Sequence, residues 1–221
     1  MRNGHRIGPL DESHVAEVTT LHLHAFPTSA LTALGPHVVR SYYAWLFTGP
    51  HDRCVVGVWE NEVLVGFCFA GRFRGATAGF LRRHRLPLAA ALLARPWLLA
   101  RREFRARLGL GLGILRRFWR TSPGETRDGA AAASAWGVLS VAVDPRFQGA
   151  GCGRAMLDAV ETAAAAAGVA TLHLTVEPDN LTAVQFYDRL GWRRMPATGA
   201  WAGKMAKTLE CFTARDHGLA R

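Results

Sequence analysis

The stretch Val141-Ala142-Val143-Asp144-Pro145-Arg146-Phe147-Gln148-Gly149-Ala150-Gly151-Cys152-Gly153-Arg154 decides the reading of this chain. Its apolar run reads as a strand, Val138 to Val143, which passes into a Gly-rich turn. The turn opens a helix, Gly153 to Ala167, favoured by the alanines Ala163 to Ala167 and closed by Gly168. A strand, a glycine turn and a helix in that order make an anion cradle. Glycines let the backbone aim N–H groups at one point, and the helix N-terminus adds partial positive charge. Arg154, in the first turn, adds a charge-assisted donor for a phosphate.

Three kinds of phosphate loop compete for this stretch. A Walker loop ends in Gly-Lys-Ser/Thr, whereas Gly153 is followed by Arg154-Ala155. A dinucleotide fingerprint needs Gly-x-Gly-x-x-Gly/Ala, and counting from Gly149 or Gly151 the sixth residue is Arg154 or Met156. Gln148-x-x-Gly151-x-Gly153, preceded by Val143-x-Pro145, resembles the acetyl-CoA pyrophosphate loop of the GNAT superfamily. A turn that binds nothing is the plain alternative. Downstream, Leu174-Thr175-Val176-Glu177-Pro178-Asp179-Asn180-Leu181-Thr182-Ala183-Val184-Gln185-Phe186-Tyr187-Asp188-Arg189-Leu190-Gly191-Trp192 is similar to that superfamily's next segment. Asn180 also suits the N-cap, and Gly191 the C′ position, of a helix over Leu181 to Leu190. Two motifs in the right order and at the right separation are much harder to assign to chance than either alone.

The resemblance implies a fold and a chemistry. The fold is α/β with a mixed, mostly antiparallel central sheet that splays at the cofactor site. The activity is acetyl transfer from acetyl-CoA to a primary amine, which attacks the thioester directly. Val141, Ala142 and Val143 would pair with the pantetheine amides. Gln148, Gly149, Ala150, Gly151, Cys152, Gly153 and Arg154 would take the pyrophosphate, and Asn180 and Tyr187 would stand beside the cofactor. Tyr187 matches the tyrosine that protonates the leaving thiolate. A phenol of pKa about 10 can supply a nascent thiolate of about 8.5 when hydrogen-bonded. Core packing is the other reading of Tyr187. The acceptor must also lose a proton, and Ala135 to Val143 contains no acid to take it. Glu177, His173, Glu60 and Glu62 remain, and Glu177, which ends a strand facing the cleft, is preferred. Cys152 is not expected to be a nucleophile.

Outward from these motifs, residues 5 to 70 suit the N-terminal part of such a domain. Asp11-Glu12-Ser13 can cap a helix running to about His24, and a second helix follows Pro36. Cys54 to Trp59 and Val63 to Phe69 bracket Glu60-Asn61-Glu62 as a hairpin. Met205 to Leu209 reads as a closing strand. His22 and His24, two apart on the first helix, do not share a face and read as surface residues. The whole chain, 1–221, reads as one acyltransferase domain with an insertion at 72–127.

The insertion carries the charge. Residues 72 to 127 hold fourteen arginines against Glu103 and Glu125, while the rest of the chain has thirteen basic and fifteen acidic residues. The net basicity therefore speaks for acidic partners only at this segment. Two helices are expected there, 87–95 and 97–119, the second with Trp97, Phe104, Leu108, Leu115 and Trp119 on one face. That face needs a cover: the domain, a second subunit in a homodimer, or an anionic membrane met peripherally. With no RNA-recognition pattern and its aromatics apart from its arginines, the segment does not point to nucleic acid. An acyltransferase fold without activity, acting as a module on an anionic membrane or other anionic partner, is the alternative reading of the whole.

No leader-like h-region opens the chain, and its longest apolar run, Leu86 to Ala94, falls short of the roughly 18–20 residues of a spanning helix. Cys54, Cys68, Cys152 and Cys211 form no Cys-x-x-Cys pair and sit in apolar or Gly-rich runs, which suits reduced thiols in a cytoplasm. The scattered histidines offer no metal-ligand spacing. The acceptor, a small-molecule or peptide amine, is not written in the sequence.

Overall fold

The computed structural model describes residues 5–73, 75–100, 135–196 and 199–209. Seven strands form one sheet in the order β1-β2-β3-β4-β5-β7-β6. They are β1 Arg6–Pro9, β2 Asp52–Glu60, β3 Val63–Arg72, β4 Ala135–Val143, β5 Thr171–Thr175, β6 Arg193–Arg194 and β7 Lys204–Thr208. All neighbours run antiparallel except β4 and β5, which are parallel. The helices among the described residues are α1 Val15–Ala25, α2 Ala30–Ala33, α3 Pro36–Thr48, α4 Ala76–Arg83, α5 Arg85–Leu93, α6 Cys152–Ala166 and α7 Leu181–Arg189.

Alternation along the central strands builds two cores. In β3, Phe67 and Phe69 face one side and Cys68 and Ala70 the other, all fully buried. The phenylalanines meet α1 and α3 through Val18, Leu21, Tyr43 and Leu46. The small residues leave room for α6, which buries Met156, Leu157, Val160 and Ala164 along one stripe. The β2–β3 hairpin closes through Asn61 and Glu62, with φ of 49° and 62°, the geometry of a two-residue turn that follows the twist of its strands.

Three details of the N-terminal half depart from the sequence expectations. Asp11 caps a 3-10 turn, Glu12–His14, and α1 starts only at Val15. His22 is buried: its Nδ1 lies 2.8 Å from the Tyr43 hydroxyl and its Nε2 3.3 Å from Ser29 Oγ. Those partners make burial of a polar ring affordable, and burial lowers its pKa to about 4. The basic segment begins with α4, where no helix was expected. Gly75 and Gly79 argue against a helix there, but Trp45 Nε1 donates to the Ala76 carbonyl at 2.9 Å and Phe80 packs edge-on against Tyr42. Gly79 permits this contact, since a Cβ there would meet Trp45 at 2.7 Å.

The first expected helix of the insertion appears as α5, two residues earlier than 87–95. Residues Pro96–Ala100 form a 3-10 turn in which Leu98 is buried and Trp97 is 57% exposed, so the inward face at this point belongs to Leu98. Phe104, Leu108, Leu115 and Trp119 lie outside the described residues, as does most of the second expected helix.

Candidate active site

The sheet opens at its one parallel junction. β4 and β5 pair only at Ala135 with Thr171, Trp136 with Leu172 and Gly137 with His173. Beyond Gly137, β4 stays paired with β3 as far as Val143, and on its other side no strand accompanies it among the described residues. A bulge marks the place: Phe69 stands opposite Ser140 and Ala70 opposite Val138, leaving Leu139 as the extra residue. A bulge bends its strand and raises its twist, which turns Val141–Val143 away from β5. It also shifts the alternation. The side chains of β4 that pack toward α6 are Trp136 and Val138, then Val141 and Val143.

At the open end the chain makes the cradle. Asp144 is buried, accepts from the backbone N–H of Arg146 at 2.9 Å, and receives the Arg146 guanidinium at 3.0 and 2.8 Å. These bonds from Arg146 hold the Asp144 carboxyl at a pKa of about 2. They also fix the 3-10 turn Pro145–Phe147 that ends the strand. Gly149 and Gly151 follow at φ +81° and +89°, a region that disfavours any side chain. A Cβ at either would meet nothing within 4 Å, so the space above both is open. Gly151 is the N-cap of α6, and the Ala155 N–H is bonded to its carbonyl at 3.0 Å. The amides of Cys152, Gly153 and Arg154 precede that bond, in the turn where a helix has donors to spare.

The remaining residues of the loop divide by role. Cys152 is buried in the α6 core, and burial raises its thiol pKa, so only its backbone can serve a ligand. Gly153 lets α7 approach: a Cβ there would meet Phe186 at 3.2 Å. Gln148 is exposed, with Nε2 reaching back toward the Val143 carbonyl at 3.5 Å. Arg154 is exposed and 3.6 Å from Asp158, one turn on.

Helix α7 positions the second motif. Asn180 Oδ1 accepts from the Ala183 N–H at 3.1 Å, a side-chain cap. At the other end, the Trp192 N–H donates to the Tyr187 carbonyl at 3.1 Å across Gly191, whose φ is +83°. Tyr187 is half-buried against the α6 core, with its ring 5.2 Å from Phe186 and 5.9 Å from Trp192. Burial first, and the Cys68 thiol second, push its pKa well above the usual tyrosine value. Its hydroxyl therefore stays protonated throughout the physiological range.

The candidates for a base are scattered. Glu60 sits 2.7 Å from His5, and Glu62, in the hairpin turn, is 3.4 Å from Arg6. Both belong to the Val143 end of the sheet, away from the point where the strands part. Glu177 is exposed, two residues past the end of β5. His173 stands at the parting point itself. It lines a cavity of about 450 Å³ together with Phe73, Gly137, Leu139 and Thr175. Asp144 and its arginine escaped the sequence reading, although Asp-Pro-Arg offered a cap signal. The bulge also escaped it, since Leu139 and Ala142 are as apolar as the residues of β4 that pack toward α6. Among the described residues no group of three His, Cys, Asp or Glu could hold a metal ion.

A mixed sheet forked at its parallel pair, with a glycine turn that opens a helix beyond one prong, is an acyltransferase-type fold. Residues 15–192 match the acetyltransferase (GNAT) family, and the chain belongs to it. Solved structures agree on the fold. The ribosomal-protein-S18-alanine N-acetyltransferase of Escherichia coli is 16% identical with a TM-score of 0.53, covering 98% of this chain and 100% of its own. YncA from Salmonella typhimurium, solved with acetyl-CoA, is 18% identical with a TM-score of 0.53 and the same coverage. The PaiA N-acetyltransferase of Thermoplasma acidophilum, in complex with coenzyme A, is 10% identical with a TM-score of 0.54, covering 93% of this chain and 99% of its own.

Proposed function

We propose that this protein transfers the acetyl group of acetyl-CoA to a primary amine by direct attack of the amine on the thioester. The observation that carries this reading is the fork: a strand that loses its parallel partner after Gly137 and ends six residues later at a glycine cradle. The unpaired side of Val141, Ala142 and Val143 suits the amides of a pantetheine arm, which would add to the sheet edge as a strand does. The pyrophosphate fits the open space over Gly149 and Gly151, within reach of the amides from Cys152 to Arg154. Gln148, Ala150, Gly153 and the Arg154 side chain complete that contact. Asn180 and Tyr187 would flank the arm from α7, with Tyr187 giving its proton to the departing sulfur. Glu177, two residues past Thr175 of the cavity wall, adds negative charge on the approach of an ammonium.

The acceptor is a small-molecule or peptide amine. An acceptor screen that follows release of the CoA thiol tests the reading. Release should rise above the rate in water for at least one class among small amines, amino sugars, peptide N-termini and lysines. No release with any class would contradict it. The intact cradle and Tyr187 argue against an inactive module. One observation favours an added peripheral contact with an anionic membrane: Leu86, Leu93 and Trp97 are 75%, 81% and 57% exposed, close in sequence to Arg82, Arg83 and Arg85.

A further inference from the structure

We propose that His173 is the base that takes the acceptor's proton, and that the cavity beside it is where the amine waits. This rests on the acetyltransferase reading of the fork and deepens it. Leu172, Leu174 and Val176 point into the core under α6, so His173 and Thr175 between them face the other side of the sheet. Tyr187 packs on the α6 side. A cofactor arm entering from the cradle at the N-terminus of α6 leaves the opposite side of the fork to the acceptor, and the cavity lies there. Its wall is mostly apolar: Phe73 and Leu139 stand beside His173 and Thr175, while Val138 and Leu174, whose side chains pack toward α6, border it across the fork. Among the described residues His173 is its one imidazole, and no carboxylate lines it.

His173 is held at the apex of the fork. It pairs with Gly137, the last residue of β4 to be paired with β5, and a Cβ at Gly137 would lie 3.1 Å from its Nε2. The missing side chain at Gly137 thus lets the ring lie across β4 where the strands part. Among the described residues the charges around it are Lys204, on β7 opposite Thr175, and Arg72, which lines the cavity and is bonded at 2.7 Å to the Asp52 carboxylate. β4 offers no titratable group between Ala135 and Val143. Partial burial first, and the Lys204 charge second, hold the pKa of this exposed ring below its usual value, so the ring is neutral and able to accept a proton at neutral pH.

The protons balance with Tyr187 as the other partner. An ammonium acceptor first gives one proton to His173, which frees its lone pair. The lone pair forms the new C–N bond and the C–S bond breaks; the second amine proton passes to solvent and the Tyr187 hydroxyl proton passes to the sulfur, giving the amide and the free thiol. Solvent then takes the proton from His173 and restores the one on Tyr187.

The test compares wild type with His173→Gln on two probe amines at matched acetyl-CoA. Butylamine carries an ammonium about as basic as lysine, about 10.4, whereas trifluoroethylamine is mostly uncharged at neutral pH. His173→Gln should slow butylamine about a hundredfold or more, the scale of general base catalysis, and slow trifluoroethylamine markedly less. The acid limb of the wild-type profile, lying below about pH 6.5, should vanish in the variant. Affinity for acetyl-CoA should not change, which separates this idea from the cofactor reading. Independently of turnover, the His173 ring resonances should shift when a bisubstrate analogue, butylamine joined through an acetyl group to the CoA sulfur, is bound. Equal slowing of both amines, an unmoved acid limb, or a His173 ring indifferent to the bound analogue would overturn the assignment.

Discussion

Tyr187 packs in the structure, and the proposed function also gives it a proton to deliver. Its ring stands among Phe186, Trp192 and the α6 core, while its hydroxyl is held neutral by burial. Tyr187→Phe keeps the ring and loses only the hydroxyl group with its proton. Folding should change little, and the maximal rate should fall about ten- to a thousandfold where chemistry limits turnover. An unchanged rate under that condition would return the residue to packing alone. Because the phenol's pKa is raised, no alkaline limb below about pH 10 should trace to it. Asn180 also serves structure, as the cap of α7, so its removal is expected to loosen the helix that presents Tyr187.

Elements decide where those residues stand, and the turn joining β4 to α6 is the one most open to test. Its pin is Asp144, whose folded-state pKa of about 2 lies below the usual carboxylate value of about 3.9. A depressed carboxylate stabilises the fold above its unfolded pKa, and that contribution is lost as pH falls toward the folded value. The stability gap between wild type and Asp144→Asn, measured by urea unfolding, should therefore be full at pH 6 and shrink between about pH 4 and pH 2. A gap that stays constant across that window would mean that the ion pair with Arg146 contributes nothing.

Much of this layer was legible in the sequence. The hairpin showed as two apolar runs around a short polar turn, and α6 and α7 showed through alanine, asparagine and glycine at their proper places. Less legible was whatever depends on contact between distant segments. The bulge at Leu139 hides because every residue from Val138 to Val143 except Ser140 is apolar, so a register shift exchanges one apolar side chain for another. α4 forms against its own glycines because Trp45 and Tyr42 wait on α3. His22 is buried because Tyr43 and Ser29 come to meet it from elsewhere in the chain.

At the scale of the molecule, the basic segment reaches the proposed fork only at its start among the described residues, where Arg72 and Phe73 line the cavity. The described part of the basic segment is tied to the domain by α4 and by Arg95, which donates to the Leu34 carbonyl at 3.2 Å. Among the described residues no helix is long and apolar enough to cross a membrane. A peripheral contact remains the proposal for the exposed leucines and Trp97, and each arginine near an anionic surface would contribute about 1 kcal/mol. Flotation should recover the protein with anionic vesicles at low salt and lose it at high salt, with none on neutral vesicles. Absence from both vesicle types would remove the membrane from the account and leave the fork untouched. The central claim, that acetyl-CoA occupies the fork with its pyrophosphate over Gly149 to Arg154, is met most directly by calorimetric titration of wild type and Gly151→Val. Wild type should bind with a single site. The variant, which places a β-branched side chain at φ +89° in the space meant for phosphate, should bind at least tenfold more weakly, a loss of about 1.4 kcal/mol or more. Equal affinity of the two proteins, or no binding by wild type, would contradict it.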